Sequence, residues 1–185
     1  MRQTTHTHVL WWRLFFLFMK ILFLDIDGVL NSIDNMNAMS ELWRIDKNDK
    51  SKDNYGHLFD ERCVRWLKLI VAKTDCKIVL SSTWRMSGLN TIQTMWQMRE
   101  LPGEVIDITP TSVSQETINL YASNSNEADR GYEIQEWIDI HKPEKYCIVD
   151  DDSDMLPHQN FVQTNSKIGL DYSSALVVCR FLNAP

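Results

Sequence analysis

The 185-residue chain has no CxxC pair. Its four cysteines, Cys63, Cys76, Cys147 and Cys179, stand apart, which argues against a structural zinc site and a thioredoxin-like motif. Cys147 falls in an apolar strand pattern and Cys179 in a helical one, so buried, reduced thiols of a cytoplasmic protein are expected. An excess of positive charge is also missing. Lys and Arg number 19 against 25 Asp and Glu, a net charge of −6. Stable binding to duplex DNA needs a cationic face, so it is not expected here, although a local basic cleft is compatible with this balance. No internal repeat or low-complexity tract occurs, which leaves out repeat arrays.

Nor is there a clean membrane span. Val9–Leu24 reads VLWWRLFFLFMKILFL, but Arg13 and Lys20 break it and it is short for a crossing. No small-residue cleavage site precedes the acidic residues that follow. Its second half, Lys20–Leu24, is needed as a strand buried on both faces, because it runs into Asp25-Ile26-Asp27. Residues 1–18 are therefore expected to be an apolar extension or a misassigned start ahead of Met19. The alternative is an anchor to a membrane or a partner. Residues 19–185 are expected to form one domain.

What is present is alternation. Apolar strand patterns at Lys20–Asp25, Lys77–Leu80, Lys145–Val149 and Phe161–Gln163, with a short one at Val105–Ile108, are separated by helical patterns. The helices are expected from Asp60 as N-cap, over Thr91–Glu100, over Ala128–Ile140 and over Ser173–Leu182. Ser32–His57 is polar without a clear period and reads as a long loop or small insertion over the site. A second insertion is expected near residues 86–126. Such alternation implies parallel βαβ units, a sheet covered on both faces, and a site at the carboxyl ends of the strands.

Polar clusters stand where strands end. Asp25 and Asp27, two residues apart after an apolar strand, share a face and repel. They call for a cation or for a raised pKa. Gly28 allows a sharp turn and a close backbone approach. Ser81-Ser82-Thr83 follows Ile78-Val79-Leu80, and a hydroxyl there can hold a phosphate oxygen or cap a helix. Arg85 can grip a substrate or pair with a carboxylate. Arg130 opens a helix, as a cation for the site or as a solvated surface residue. Asp150, Asp151, Asp152 and Asp154 crowd one strand end, and a bound divalent cation is the simplest relief.

The string Asp25-Ile26-Asp27-Gly28-Val29-Leu30-Asn31 resembles the first motif of the haloacid dehalogenase (HAD) superfamily. In particular it is similar to a branch holding HAD domains of RNA-repair proteins and polynucleotide 3′-phosphatases. Many HAD phosphatases have Thr where Val29 stands, whereas that branch often has Val. Ser81 or Ser82, Arg130, and Asp150-Asp151 take the places of the other three motifs, with Arg130 where Lys is usual.

The resemblance implies a Rossmann-like α/β HAD fold with small cap insertions and a Mg²⁺-dependent phosphatase. Asp25 would be the nucleophile and Asp27 the acid–base. Ser81 or Ser82 and Arg130 would complete the catalytic set. Asp25, Asp27, Asp151 and, second to it, Asp150 would hold the metal, with Asp154 acting through a water. Gly28, Asn31 and Arg85 would meet the substrate, which is expected to be a nucleic acid 3′-phosphate end, a nucleotide or a small phosphomonoester. Trp43, Trp84 or Trp96 could stack on a base. A phosphotransferase using the same nucleophile and a non-enzymatic metal- or partner-binding module are the alternatives.

Overall fold

A computed structural model describes residues 19–48, 50–121 and 129–184. The extension expected over residues 1–18 lies outside the described residues, as does Ala128, the expected first residue of a helix.

The first strand, β1 (Lys20–Leu24), forms because Ile21, Leu22, Phe23 and Leu24 are apolar without interruption, and all four are fully buried. It leads through helix α1 (Ile33–Ile45) and a small hairpin, β2 (Lys52–Asp53) and β3 (Gly56–His57), into helix α2 (Glu61–Thr74). Strand β4 (Lys77–Leu80) follows, then a 3-10 turn (Thr83–Ser87), helix α3 (Leu89–Met98), strand β5 (Val105–Ile108) and helix α4 (Gln115–Tyr121). The chain closes with helix α5 (Asp129–His141), strands β6 (Lys145–Asp150) and β7 (Phe161–Gln163), and helix α6 (Tyr172–Asn183).

Five strands make one sheet in the order β5-β4-β1-β6-β7, every pair parallel. The sheet is thus wholly parallel, where a mainly parallel one was expected. Side chains alternate across it. Leu22, Leu24, Ile78, Leu80, Cys147 and Val149 pack with α2, α3 and α6, while Ile21, Phe23, Val79 and Ile148 pack with Ile134 and Trp137 of α5. Burying apolar side chains on both faces is the main stabilising term, roughly 1.5–3 kcal/mol for each large one. The Phe23 and Trp137 rings meet edge to face at 5.3 Å. Among the described residues no helix is long and apolar enough to cross a membrane.

Two stretches differ from expectation. Ser32–His57 holds a 13-residue helix and a hairpin, where a long loop was expected. The helix is started by local chemistry. The Ser32 hydroxyl accepts from the Asn35 backbone at 3.2 Å and donates to the Asp60 carboxylate at 2.8 Å. None of its residues is buried, which explains the weak apolar period. Residues 86–126 include α3 and β5, which continue the sheet's regular crossover, and α4, which packs against α5.

Register places the polar clusters side by side. Leu24 pairs with both Leu80 and Val149, so Asp25, Ser81 and Asp150 all come one residue later at the same edge. The Asp25 amide donates to the Val149 carbonyl and the Ser81 amide to the Leu24 carbonyl, each at 3.0 Å.

Candidate active site

Asp25, Asp150 and Asp151 converge above the central strands. One carboxylate oxygen from each lies within 4.8 Å of the others. Asp25 is 5% exposed and Asp150 1%. Burial pushes the Asp25 carboxyl up to about 6. Arg130 and the Ser82 hydroxyl oppose the rise, while Asp27 and Asp151 add to it. Burial, and next the Asp25 charge, push Asp150 up to about 7. Asp151 is raised by burial and by Asp152. Asp150 Oδ2 is buried with no hydrogen-bond partner. These are hard oxygen donors around one point, and their charges are costly without a cation. The set fits a magnesium ion.

Gly28 makes this convergence possible. Its φ is +76°, and a Cβ there would stand 2.2 Å from Asp151 Cγ. The Gly28 carbonyl accepts from the Thr164 hydroxyl at 2.9 Å, which ties the first motif to the end of β7.

Arg130 supplies the positive side of the site. Its Nη1 lies 3.2 Å from Asp25 Oδ1 and also donates to the Ser81 carbonyl, and its Nε is 3.4 Å from Asp150 Oδ2. Burial alone would lower its pKa, but Asp150, Asp25 and Asp154 outweigh it and raise it. Gly131 lets α5 approach closely, because a Cβ there would meet the Leu156 backbone nitrogen at 2.7 Å. Asp154 stands apart from the three clustered acids. It accepts from the Arg130 amide at 3.3 Å through its side chain and from the Gly131 amide at 3.1 Å through its carbonyl.

Asp27 points elsewhere. Its Oδ1 accepts from Asn31 Nδ2 and its Oδ2 from Trp84 Nε1, both at 2.9 Å. Two neutral donors thus hold one exposed carboxylate in a fixed orientation. The two serines are also distinct. Ser81 is fully buried with its hydroxyl unpartnered, while the Ser82 hydroxyl caps the 3-10 turn at the Trp84 amide.

Two residues expected at the substrate have their donors turned to protein groups. Asn31 holds Asp27. Arg85, 7% exposed, forms a two-pronged pair with Glu133 at 2.7 Å and donates to the carbonyls of Ser81 and Ser82 at 2.5 and 3.0 Å. Of its two expected roles it takes the carboxylate pair, because the 3-10 turn folds it back under the β4 end. Trp96 is walled into the core, with Nε1 on the Pro102 carbonyl at 3.2 Å, and has no face for a base. Trp43 lies on α1 beneath Lys47 and Lys52.

Sequence reasoning missed Glu133, Thr164 and the Trp84–Asp27 bond. Glu133 had a signal: it stands three residues after Arg130, on the same side of α5. The other two join segments 57 and 136 residues apart and leave no local trace.

Residues 21–175 match the family described as the HAD domain in Swiss Army Knife RNA repair proteins. The chain belongs to that family. The match runs from β1 into α6 and includes every residue of the site described above. Its class of activity is that of HAD phosphohydrolases and phosphotransferases. No curated protein and no solved structure matches the chain.

Two cavities open among the described residues of this HAD domain. The larger, about 1200 Å³, lies among α1, α2 and the residues after α3, and none of the three clustered acids lines it. The smaller, about 320 Å³, has as one wall Trp84, whose indole N–H holds Asp27.

Proposed function

We propose that this protein is a Mg²⁺-dependent phosphomonoester hydrolase that acts through Asp25 on phosphorylated ends of nucleic acids or on nucleotides. The observation that carries the reading is the convergence of buried Asp25, Asp150 and Asp151 beside Arg130, with Asp27 oriented two residues on. Asp25, Asp150 and Asp151 would hold the ion, with the Asp27 main-chain carbonyl as a further oxygen donor. When bound, Mg²⁺ supplies positive charge that offsets repulsion between an anionic nucleophile and an anionic phosphate.

The chain's own residues do the rest. An Asp25 carboxylate oxygen attacks phosphorus, and the bond from phosphorus to the leaving oxygen breaks. Asp27 serves as the acid–base group and passes a proton to that oxygen. It then takes a proton from the water that hydrolyses the aspartyl-phosphate, which frees phosphate and restores Asp25. Arg130 moves from its contact with Asp25 to the phosphoryl oxygens, as a planar multi-donor cation suited to them. The buried, unpartnered Ser81 hydroxyl donates to a phosphoryl oxygen. Arg85 and Glu133 brace the turn that presents it. The nucleic-acid substrate rests on the family's description, and the net charge of −6 favours an end over a long duplex.

Phosphate release from 3′- and 5′-phosphorylated oligonucleotides and from small phosphomonoesters tests the reading. Mg²⁺-dependent release is expected, abolished by EDTA and by Asp25→Asn with the fold intact. Wild-type turnover in Asp25→Asn would overturn it.

A further inference from the structure

The small cavity walled by Trp84 has a composition that the chemistry above leaves unused. Its lining includes Tyr55 and Trp84 as aromatic walls, the buried Ile92 and Met95 of α3, and exposed Asn54 and Thr91 at the edge. Trp84 belongs to two structures at once. Its indole N–H holds Asp27 at 2.9 Å, and its ring bounds the cavity. Asp27 is the group that meets the leaving oxygen in the proposed reaction. A leaving group whose oxygen meets Asp27 comes next to Trp84.

The second aromatic wall is held in place. Tyr55 sits in the β2–β3 turn, where Asp53 Oδ1 accepts from its amide at 2.7 Å. Asp53 is gripped by Arg99 through two bonds of 2.7 and 2.8 Å, and the Arg99 guanidinium lies over the Phe59 ring at 4.5 Å. Phe59 in turn packs edge-on against Trp84 at 5.6 Å. The insertion after the first motif is thus locked, through Arg99 and Phe59, to the tryptophan that orients Asp27.

We infer that this cavity is the leaving-group subsite and that it takes the nucleobase of the terminal nucleoside, stacked between Tyr55 and Trp84. The inference rests on the phosphatase reading for the role of Asp27. A cavity of about 320 Å³ is at the small end for ligand sites and suits one ring system. A base has apolar faces and a polar edge. That matches aromatic and aliphatic walls with an amide and hydroxyls at the rim, and stacking of this kind accepts any base. A sugar phosphate without a base would leave the two aromatic walls unused.

The test compares kcat/KM for adenosine 3′-phosphate with that for glycerol 2-phosphate, in the full chain. Tyr55→Ala is expected to lower the ratio of the two by on the order of tenfold. Thr91→Trp, at an exposed position of α3, fills the cavity from that helix and is expected to lower the ratio likewise, which guards against a folding defect in the turn. Trp84→Phe keeps a ring but loses the bond to Asp27, so it is expected to lower kcat for both substrates. Saturation-transfer NMR with adenosine, and ribose as control, reads the cavity without turnover. Adenosine should bind to Asp25→Asn protein, and the added Tyr55→Ala change should weaken it. Phosphate release with an unmoved ratio in both Tyr55→Ala and Thr91→Trp would overturn the subsite and leave the phosphatase standing. Tyr55-dependent adenosine binding without phosphate release would uphold the cavity and overturn the phosphatase.

Discussion

Replacing Gly28 by alanine should separate the proposed metal site from the fold. A Cβ at this position would lie 2.2 Å from Asp151 Cγ and 2.4 Å from both its oxygens. Non-bonded carbon atoms settle at about 3.5 Å, so the Asp151 carboxylate must retreat by roughly 1 Å or more. Magnesium holds its oxygens at about 2.0–2.1 Å in a strict octahedron, so a donor displaced that far is lost. The backbone cost is smaller. An alanine at φ +76° costs about 1–2 kcal/mol. Urea unfolding should therefore show two effects. In EDTA, Gly28→Ala should be less stable than wild type by about 1–2 kcal/mol. With millimolar Mg²⁺ the wild-type midpoint should rise, since a ligand that binds only the folded state stabilises it. The variant midpoint should stay where EDTA left it. Asp151→Asn should lose the same response without the backbone cost. A wild-type rise in Gly28→Ala would refute both the steric argument and the place of Asp151 in the metal set.

Glu133→Ala removes the partner of a guanidinium that is only 7% exposed, and stranding such a charge costs about 3–5 kcal/mol. Chemical denaturation checks this, and a loss under 1 kcal/mol would mean that Arg85 finds another carboxylate or water. Metal-free protein should be more stable at pH 5 than at pH 8. The folded carboxyls of Asp25 and Asp150 titrate near 6 and 7, above the unfolded value of 3.8, so their charged forms are penalised in the fold. Their stabilising contribution is complete below the unfolded value and is lost as pH rises through about 6 to 7. Melting temperatures in EDTA across this range report it, and saturating Mg²⁺ should flatten or reverse the trend. Asn31→Ala leaves Asp27 held by Trp84 alone and should lower kcat more than it raises KM. Steady-state kinetics read that split.

Much of the architecture was legible in the chain. An uninterrupted apolar run at Ile21–Leu24, ending in an acidic turn, suits a strand covered on both sides, and it became the central strand of a parallel sheet. A cap was legible at Asp60, where a carboxylate precedes an amphipathic run. Asp60 caps α2 at the Arg62 amide. Helix α1 was not legible, because a helix with no buried residue leaves almost no apolar period to read.

At the site, the sequence by itself determined which residues end strands, and hence that Asp25, Ser81 and Asp150 would share one edge once the strands paired in parallel. Local pattern carries that much, since burial dictates the strands and parallel pairing aligns their ends. The tertiary structure decided everything that depends on distance across the chain. It turned Arg85 inward to Glu133 and set Arg130 between Asp25 and Asp150. It also gave Asp27 its two donors and brought Tyr55 beside Trp84. The physical reason is common to all of them. A side chain's partner is chosen by which donors and charges lie within about 3 Å in the packed molecule. No spacing along the sequence encodes a contact between segments joined only through the fold.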